Sequence, residues 1–173
     1  TRVGPDTWRE FYGPPTGHIL HIYNGRMFIA NDSAIWYSEP NAFNLYWKGA
    51  EYFWFQSRIR MVIGVQDGMW VSDQDNIYFL RGQIAPDLEE FPQLIKMAEY
   101  PAIEGTEVEA PMDDFPFNNL FGMGYIVAAS QGICLLGPNG QFINLTKDRL
   151  VLPAMRYGAG IYIDGKYVVM IEP

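Results

Sequence analysis

The sequence has little cysteine, little positive charge and no long apolar run. Because Cys134 is its single cysteine, an internal disulfide is excluded, and with it a small disulfide-stapled scaffold. The 12 Lys and Arg face 20 Asp and Glu, so the formal net charge is −8. This disfavours sequence-specific nucleic-acid binding, since a grip on a phosphate backbone depends on clustered basic side chains. No apolar run reaches the roughly 18 residues of a spanning helix, so we expect no membrane span.

Two further features are missing from the sequence. Residues 1–15 contain neither a basic region nor an apolar stretch, so no signal peptide is predicted. Because the first residue is Thr1 and not Met, we expect a processed or excised piece of a longer chain. Helical periodicity is nearly absent as well. The segment Leu88–Tyr100 could hold helical turns, and Pro92 interrupts it.

Aromatic residues, glycine and proline are abundant instead. The chain holds 5 Trp, 11 Tyr and 11 Phe, together with 17 Gly and 12 Pro. Aromatic side chains suit pleated, half-buried surfaces, and Gly and Pro supply frequent turns. The composition therefore favours an all-β fold.

A sequence pattern recurs along the chain. The apolar run His18–Tyr23 is followed by Asn24-Gly25, a strong signal for a type I′ hairpin turn. A similar run meets Asp67-Gly68 about 43 residues later, and related runs follow up to Ile171. A spacing of 40 to 45 residues for a unit of about four strands is typical of propeller blades. We therefore predict a single β-propeller-like domain over 1–173, closed or partial, with about four blade-like antiparallel meanders. Its units are 17–50, 51–84, 117–150 and 151–173, with a Pro- and acid-rich insertion over 85–116.

Catalytic and metal-binding patterns are weak in this sequence. His18 and His21 are three apart, which in a strand points them to opposite sides, so a structural or interface role is favoured over metal binding. The run Asp73-Gln74-Asp75-Asn76 resembles the start of a calcium loop but lacks its Gly and distal Glu, which favours a polar turn. Cys134 lies among strand hydrophobes, as an inert core cysteine does. We predict no catalytic, cofactor-binding or metal-binding residues and no enzyme activity.

Two pairs of adjacent acidic residues, Glu89-Glu90 and Asp113-Asp114, lie in the predicted insertion. A glycosidase needs two carboxyl groups at a defined distance across a cleft. Adjacent acids in a Pro-rich loop are more often solvated charge, and we expect them to form a polar insertion surface.

Aromatic residues are concentrated between positions 36 and 55. This density is typical of a packed seam between two blades, of a protein interface, or of a sugar-stacking site. The group consists of Trp36, Tyr37, Phe43, Tyr46, Trp47, Tyr52, Phe53, Trp54 and Phe55. We take Trp47, Tyr52, Trp54 and Phe55 as candidate interface anchors, together with Glu89, Glu90, Asp113 and Asp114 on the insertion.

Several phrases carry a resemblance to a known group of proteins. They are the stretch Gly17–Ala30, the run Ile35–Pro40, Asp67–Val71, Tyr78–Gly82 and the segment Tyr100–Gly105. Together they resemble tail-associated and head-to-tail connector virion proteins of bacteriophages, which have β-propeller-like repeats. The likeness extends from Gly17 to about Gly105, and the last sixty or so residues match only in general propeller style.

The resemblance implies a structural, non-enzymatic part of a virion, in the tail or at the head-to-tail junction. It also implies assembly in the bacterial host, other tail or connector proteins as partners, a homo-oligomer or ring, and no cofactor. The alternative function is that of a host-surface receptor or glycan-binding module of a phage tail.

Overall fold

The computed structural model describes residues 10–47, 52–82, 92–117, 120–153 and 155–172. This part of the chain is built of short β-strands with one 3₁₀ helix at Met112–Asp114, and it holds no helix long and apolar enough to cross a membrane. The strands are β1 Phe11–Tyr12, β2 Ile19–Tyr23, β3 Arg26–Asn31, β4 Ala34–Tyr37, β5 Tyr46–Trp47, β6 Tyr52–Trp54, β7 Met61–Val65, β8 Gly68–Ser72, β9 Ile77–Arg81, β10 Gln93–Ala98, β11 Val108–Pro111, β12 Met123–Ala129, β13 Gly132–Leu136, β14 Phe142–Asn144, β15 Tyr157–Ile163 and β16 Lys166–Glu172.

The strands form five antiparallel sheets, which confirms the all-β prediction. Three have four strands each: sheet I has the order β2-β3-β4-β6, sheet II β7-β8-β9-β10, and sheet III β11-β12-β13-β14. The strands β15 and β16 form a two-stranded unit, here called hairpin IV, and β1 pairs with β5. The first hairpin turns at Asn24 and Gly25, whose φ values of 47° and 68° are those that the Asn-Gly pair predicts.

Sheets I to III and hairpin IV pack face to face in chain order. One apolar cluster, with Phe28 and Val71, lies between sheets I and II, and a second, with Trp70 and Val127, lies between sheets II and III. A third cluster around Met112 lies between sheet III and hairpin IV. Successive residues of a strand point to opposite faces, so sheet II is buried on both sides. Every residue of β8 is accordingly buried.

The first strands of sheets I and II run side by side. The Nε2–H of His18 donates a hydrogen bond to the carbonyl of Ile59 at 2.8 Å, and Nε2 of His21 accepts one from the N–H of Gly64 at 2.8 Å. Residue 18 contacts residue 59 and residue 21 contacts residue 64, so the residue numbers increase in the same direction along both segments. The strands β2 and β7 are therefore parallel. A parallel bridge between Glu104 and Tyr157 links the starts of sheet III and hairpin IV in the same way.

The strands correct two expectations from the sequence, the insertion over 85–116 and the bounds of the second unit. The predicted insertion over 85–116 contains β10, which pairs with β9 as the last strand of sheet II, and β11, the first strand of sheet III. The stretch that could hold helical turns, interrupted by Pro92, provides β10 in its described part, because pairing with β9 outweighs a weak helical pattern. The strand β6, placed in the second unit at 51–84, belongs to sheet I by its pairing with β4.

Candidate functional site

The outer face of sheet I, which points away from sheet II, carries an apolar row. Leu20, Ile29, Trp36 and Tyr52 stand in register across its four strands. The rings of Trp36 and Tyr52 lie 4.9 Å apart between centroids. Leu20 is 62% exposed. Trp54 follows Tyr52 by two residues in β6, so it is on the same face, and it is 70% exposed. An apolar face of this kind on a folded protein is typical of an interaction surface.

Strand alternation divides the aromatic group between two faces. Tyr37 and Phe53 stack at 5.3 Å between centroids on the inner face, and both belong to or pack against the cluster between sheets I and II. Phe55 is 4% exposed and contacts the ring of Tyr78 at 5.5 Å between centroids. Phe55 is therefore a core residue, and its selection as a surface anchor is corrected. Trp54 and Tyr52 are on the exposed face, as an anchor requires.

Trp47 lies at the margin of the outer face of sheet I. Its strand β5 pairs with β1, with Trp47 opposite Phe11. Between these short strands and sheet I is an apolar cleft of about 240 Å³, lined by Tyr12, Gly13, Pro15, Trp36, Tyr46 and Trp47. The cleft extends the apolar surface of sheet I at one edge.

The outer face of hairpin IV is also apolar. Ile161 pairs with Val168 and Ala159 with Met170, and these side chains point away from sheet III. Met170 is 69% exposed. The opposite side chains, among them Tyr162 and Tyr167, pack against the cluster of sheet III. The sequence does not show which side of hairpin IV is exposed, because Tyr167–Ile171 is a continuous apolar run.

The polar candidates have a different position. Asp114 accepts, through Oδ2, a hydrogen bond from the Tyr162 hydroxyl at 2.8 Å, and Oδ2 of Asp113 accepts the N–H of Gly122 at 3.3 Å. Both acids thus brace the 3₁₀ turn against neighbouring segments. Glu89 and Glu90 lie outside the described residues.

Potential ligands for a metal ion are dispersed in the described segments, where no group of three His, Cys, Asp or Glu side chains could hold one. Oδ1 of Asp73 accepts the N–H groups of Asp75 and Asn76 at 2.9 and 2.8 Å, so the acidic run forms a polar turn. Burial raises the pKa of the Cys134 thiol to about 12. A thiol of this kind is a poor nucleophile, because the thiolate is the reactive form.

The structure thus presents two exposed apolar faces at the two ends of one stack of sheets. No family model, no curated protein and no solved structure matches this chain.

Proposed function

We propose that this chain is a structural, non-enzymatic component of a bacteriophage virion, in the tail or at the head-to-tail junction, which acts through protein–protein assembly. The observation that carries the proposal is the pair of exposed apolar faces on sheet I and hairpin IV. A stack that has exposed apolar side chains on each end face is suited to be one segment of a larger assembly.

The stack is, in this proposal, an arc of a β-propeller-like ring. Three observations support it: the antiparallel meander order of sheets I to III, their face-to-face packing in chain order, and the parallel first strands β2 and β7. In a propeller the blades stack in this way around an axis. Hairpin IV would be the inner half of a fourth blade.

The partner we propose for each end face is a second copy of this chain. Inside the stack, the face of each unit that points toward the next unit in chain order packs against the opposite face of that next unit. Hairpin IV exposes a face of the first kind, with Val168 and Met170. Sheet I exposes a face of the second kind, with Leu20 and Trp54. A contact between these two faces would reproduce the contact that already exists between neighbouring units of the stack. Such a head-to-tail contact gives a ring when its rotation closes.

The virion role is supported by the phrases between Gly17 and Gly105 that resemble phage tail and connector proteins. An acidic net charge of −8 agrees with a structural part that does not grip nucleic acid. The presence of peptides of this chain at many copies per particle in purified virions would support the role. Their absence from particles that otherwise contain all tail proteins would refute it.

Light scattering across a concentration series tests the assembly. We expect the mass of the wild-type protein to rise to a defined oligomer. Val168→Lys and Trp54→Glu should each lower that mass, because each places a charge in an apolar contact. Val151→Lys and Phe121→Glu make the same changes at exposed apolar residues outside the two faces and should leave the mass unchanged. A wild-type monomer at all concentrations would contradict assembly through these faces.

A further inference from the structure

Three of the 12 basic residues of this acidic chain meet at one cleft. The cleft has a volume of about 350 Å³ and opens where the loops before β7, before β11 and before β15 converge. Its lining consists of Arg58, Arg60, Gln74, Glu104, Arg156 and Tyr157. None of these residues belongs to the apolar faces proposed for assembly except Tyr157, which lies at their margin.

Backbone and side-chain contacts hold the walls of the cleft in place. Nη1 of Arg60 donates to the carbonyl of Met155 at 3.2 Å, which links the start of sheet II to the segment before hairpin IV. The N–H of Gly158 donates to the carbonyl of Glu104 at 2.8 Å beside the parallel bridge. The cleft is therefore formed by segments that the fold itself fixes, and a ligand would find it largely in place.

Positive charge predominates in the cleft, with three arginines against one glutamate. Within the described segments neither Arg58, Arg60 nor Arg156 forms an ion pair, although Glu104 lines the same cleft. Three guanidinium groups around one small volume repel one another, and a bound anion removes that repulsion. A guanidinium binds carboxylate or phosphate with two parallel hydrogen bonds, so its geometry suits an anion better than an ammonium does.

The remaining lining residues indicate the rest of the ligand. Gln74 offers an amide and Glu104 a carboxylate, which together can donate to and accept from hydroxyl groups. Tyr157 is 49% exposed and offers an aromatic ring. Glu104 also disfavours a polyanion that has no hydroxyl groups, because the Glu104 carboxylate would face the negative charge of that ligand without receiving a hydrogen bond from it. From this combination we infer that the cleft binds an acidic saccharide, a sugar that carries a carboxylate or a phosphate group.

Titration with four small probes, followed by NMR chemical shifts, tests the inference. The probes are glucuronic acid, glucose 6-phosphate, glucose and inorganic phosphate. Binding of either acidic sugar at least about tenfold more tightly than glucose and inorganic phosphate would support an acidic saccharide, since charge-assisted hydrogen bonds have this magnitude. Inorganic phosphate as tight as glucose 6-phosphate would overturn the saccharide part. Acidic sugars no tighter than glucose would overturn the whole inference.

Substitutions locate the binding. Arg58→Gln and Arg156→Gln should each lower the affinity for the acidic sugar by about tenfold, because each removes one charge-assisted contact. Arg149→Gln makes the same change of charge at an exposed arginine outside the cleft and should leave the affinity unchanged. Equal losses in all three variants would refute the site. The titrations are repeated in Val168→Lys, so that binding by the cleft is measured apart from assembly.

Discussion

The imidazole of His21 accepts the backbone N–H of Gly64 through Nε2 at 2.8 Å. This bond joins β2 to β7, the parallel first strands of sheets I and II. Gly64 has no side chain, and a Cβ at that position would lie 2.3 Å from the ring of Tyr23. The two first strands can approach this closely because residue 64 is a glycine. An accepting Nε2 must be unprotonated, so the junction requires a neutral imidazole.

Acidification should weaken the junction of sheets I and II. Burial lowers the pKa of His21 below its ordinary 6.5 in the folded state. The unfolded chain then binds more protons than the folded chain between the two pKa values. The stabilisation is full above pH 6.5, and it is lost as the pH falls through the lower pKa of the folded state, by at most about 1.4 kcal/mol per pH unit.

Urea unfolding at pH 8 and pH 5.5 checks this prediction. His21→Gln removes the titration and keeps an oxygen that can accept the Gly64 N–H. The wild-type free energy of unfolding should fall more between the two pH values than that of His21→Gln. Equal losses in both proteins would show that other groups account for the acid sensitivity.

Adjacent aromatic residues should differ sharply in their effect on stability. Phe55→Ala opens a cavity between sheets I and II and should cost about 3 to 5 kcal/mol of unfolding free energy. Trp54→Ala removes a side chain that is 70% exposed and should cost less than about 0.5 kcal/mol in the monomer. Chemical denaturation at concentrations below assembly measures both. Similar costs at the two positions would contradict the orientation of β6.

Cys134 should be unreactive in the native protein. Its side chain lies between sheets II and III, fully buried, with Sγ 3.9 Å from the Tyr100 hydroxyl. The pKa of about 12 leaves almost no thiolate at pH 8. Reaction with a colorimetric disulfide reagent should be slow in buffer and complete within the mixing time in denaturant. A rapid reaction of one thiol per native chain would show that the seam between the two sheets opens readily.

The all-β fold and most hairpins could be predicted from local sequence. The Asn24-Gly25 turn follows from backbone geometry, and the runs around Asp67-Gly68 and Gly132 follow from alternation and turn residues. Strand pairing is less local. Gln93–Ala98 has little β character of its own and forms a strand because the edge of β9 is available to it.

The candidate site was predicted only in part, for a physical reason. The sequence shows that aromatic residues are dense around Trp54, but not which side of β6 faces sheet II, since a register change of one residue exchanges the two faces. Phe55 was therefore selected as an anchor although it is buried. The arginine cleft joins positions 58 and 156, which no local pattern connects.

Disulfide mapping between copies tests the head-to-tail contact most directly. Leu20→Cys and Met170→Cys place thiols on the two end faces, while buried Cys134 stays unreactive. When the two single variants are mixed and oxidised, we predict a mixed dimer linked through positions 20 and 170, identified by mass spectrometry of the linked peptides. Neither variant alone should form more than traces of dimer. Efficient links between two copies of Leu20→Cys, with none between 20 and 170, would contradict head-to-tail assembly of the arc.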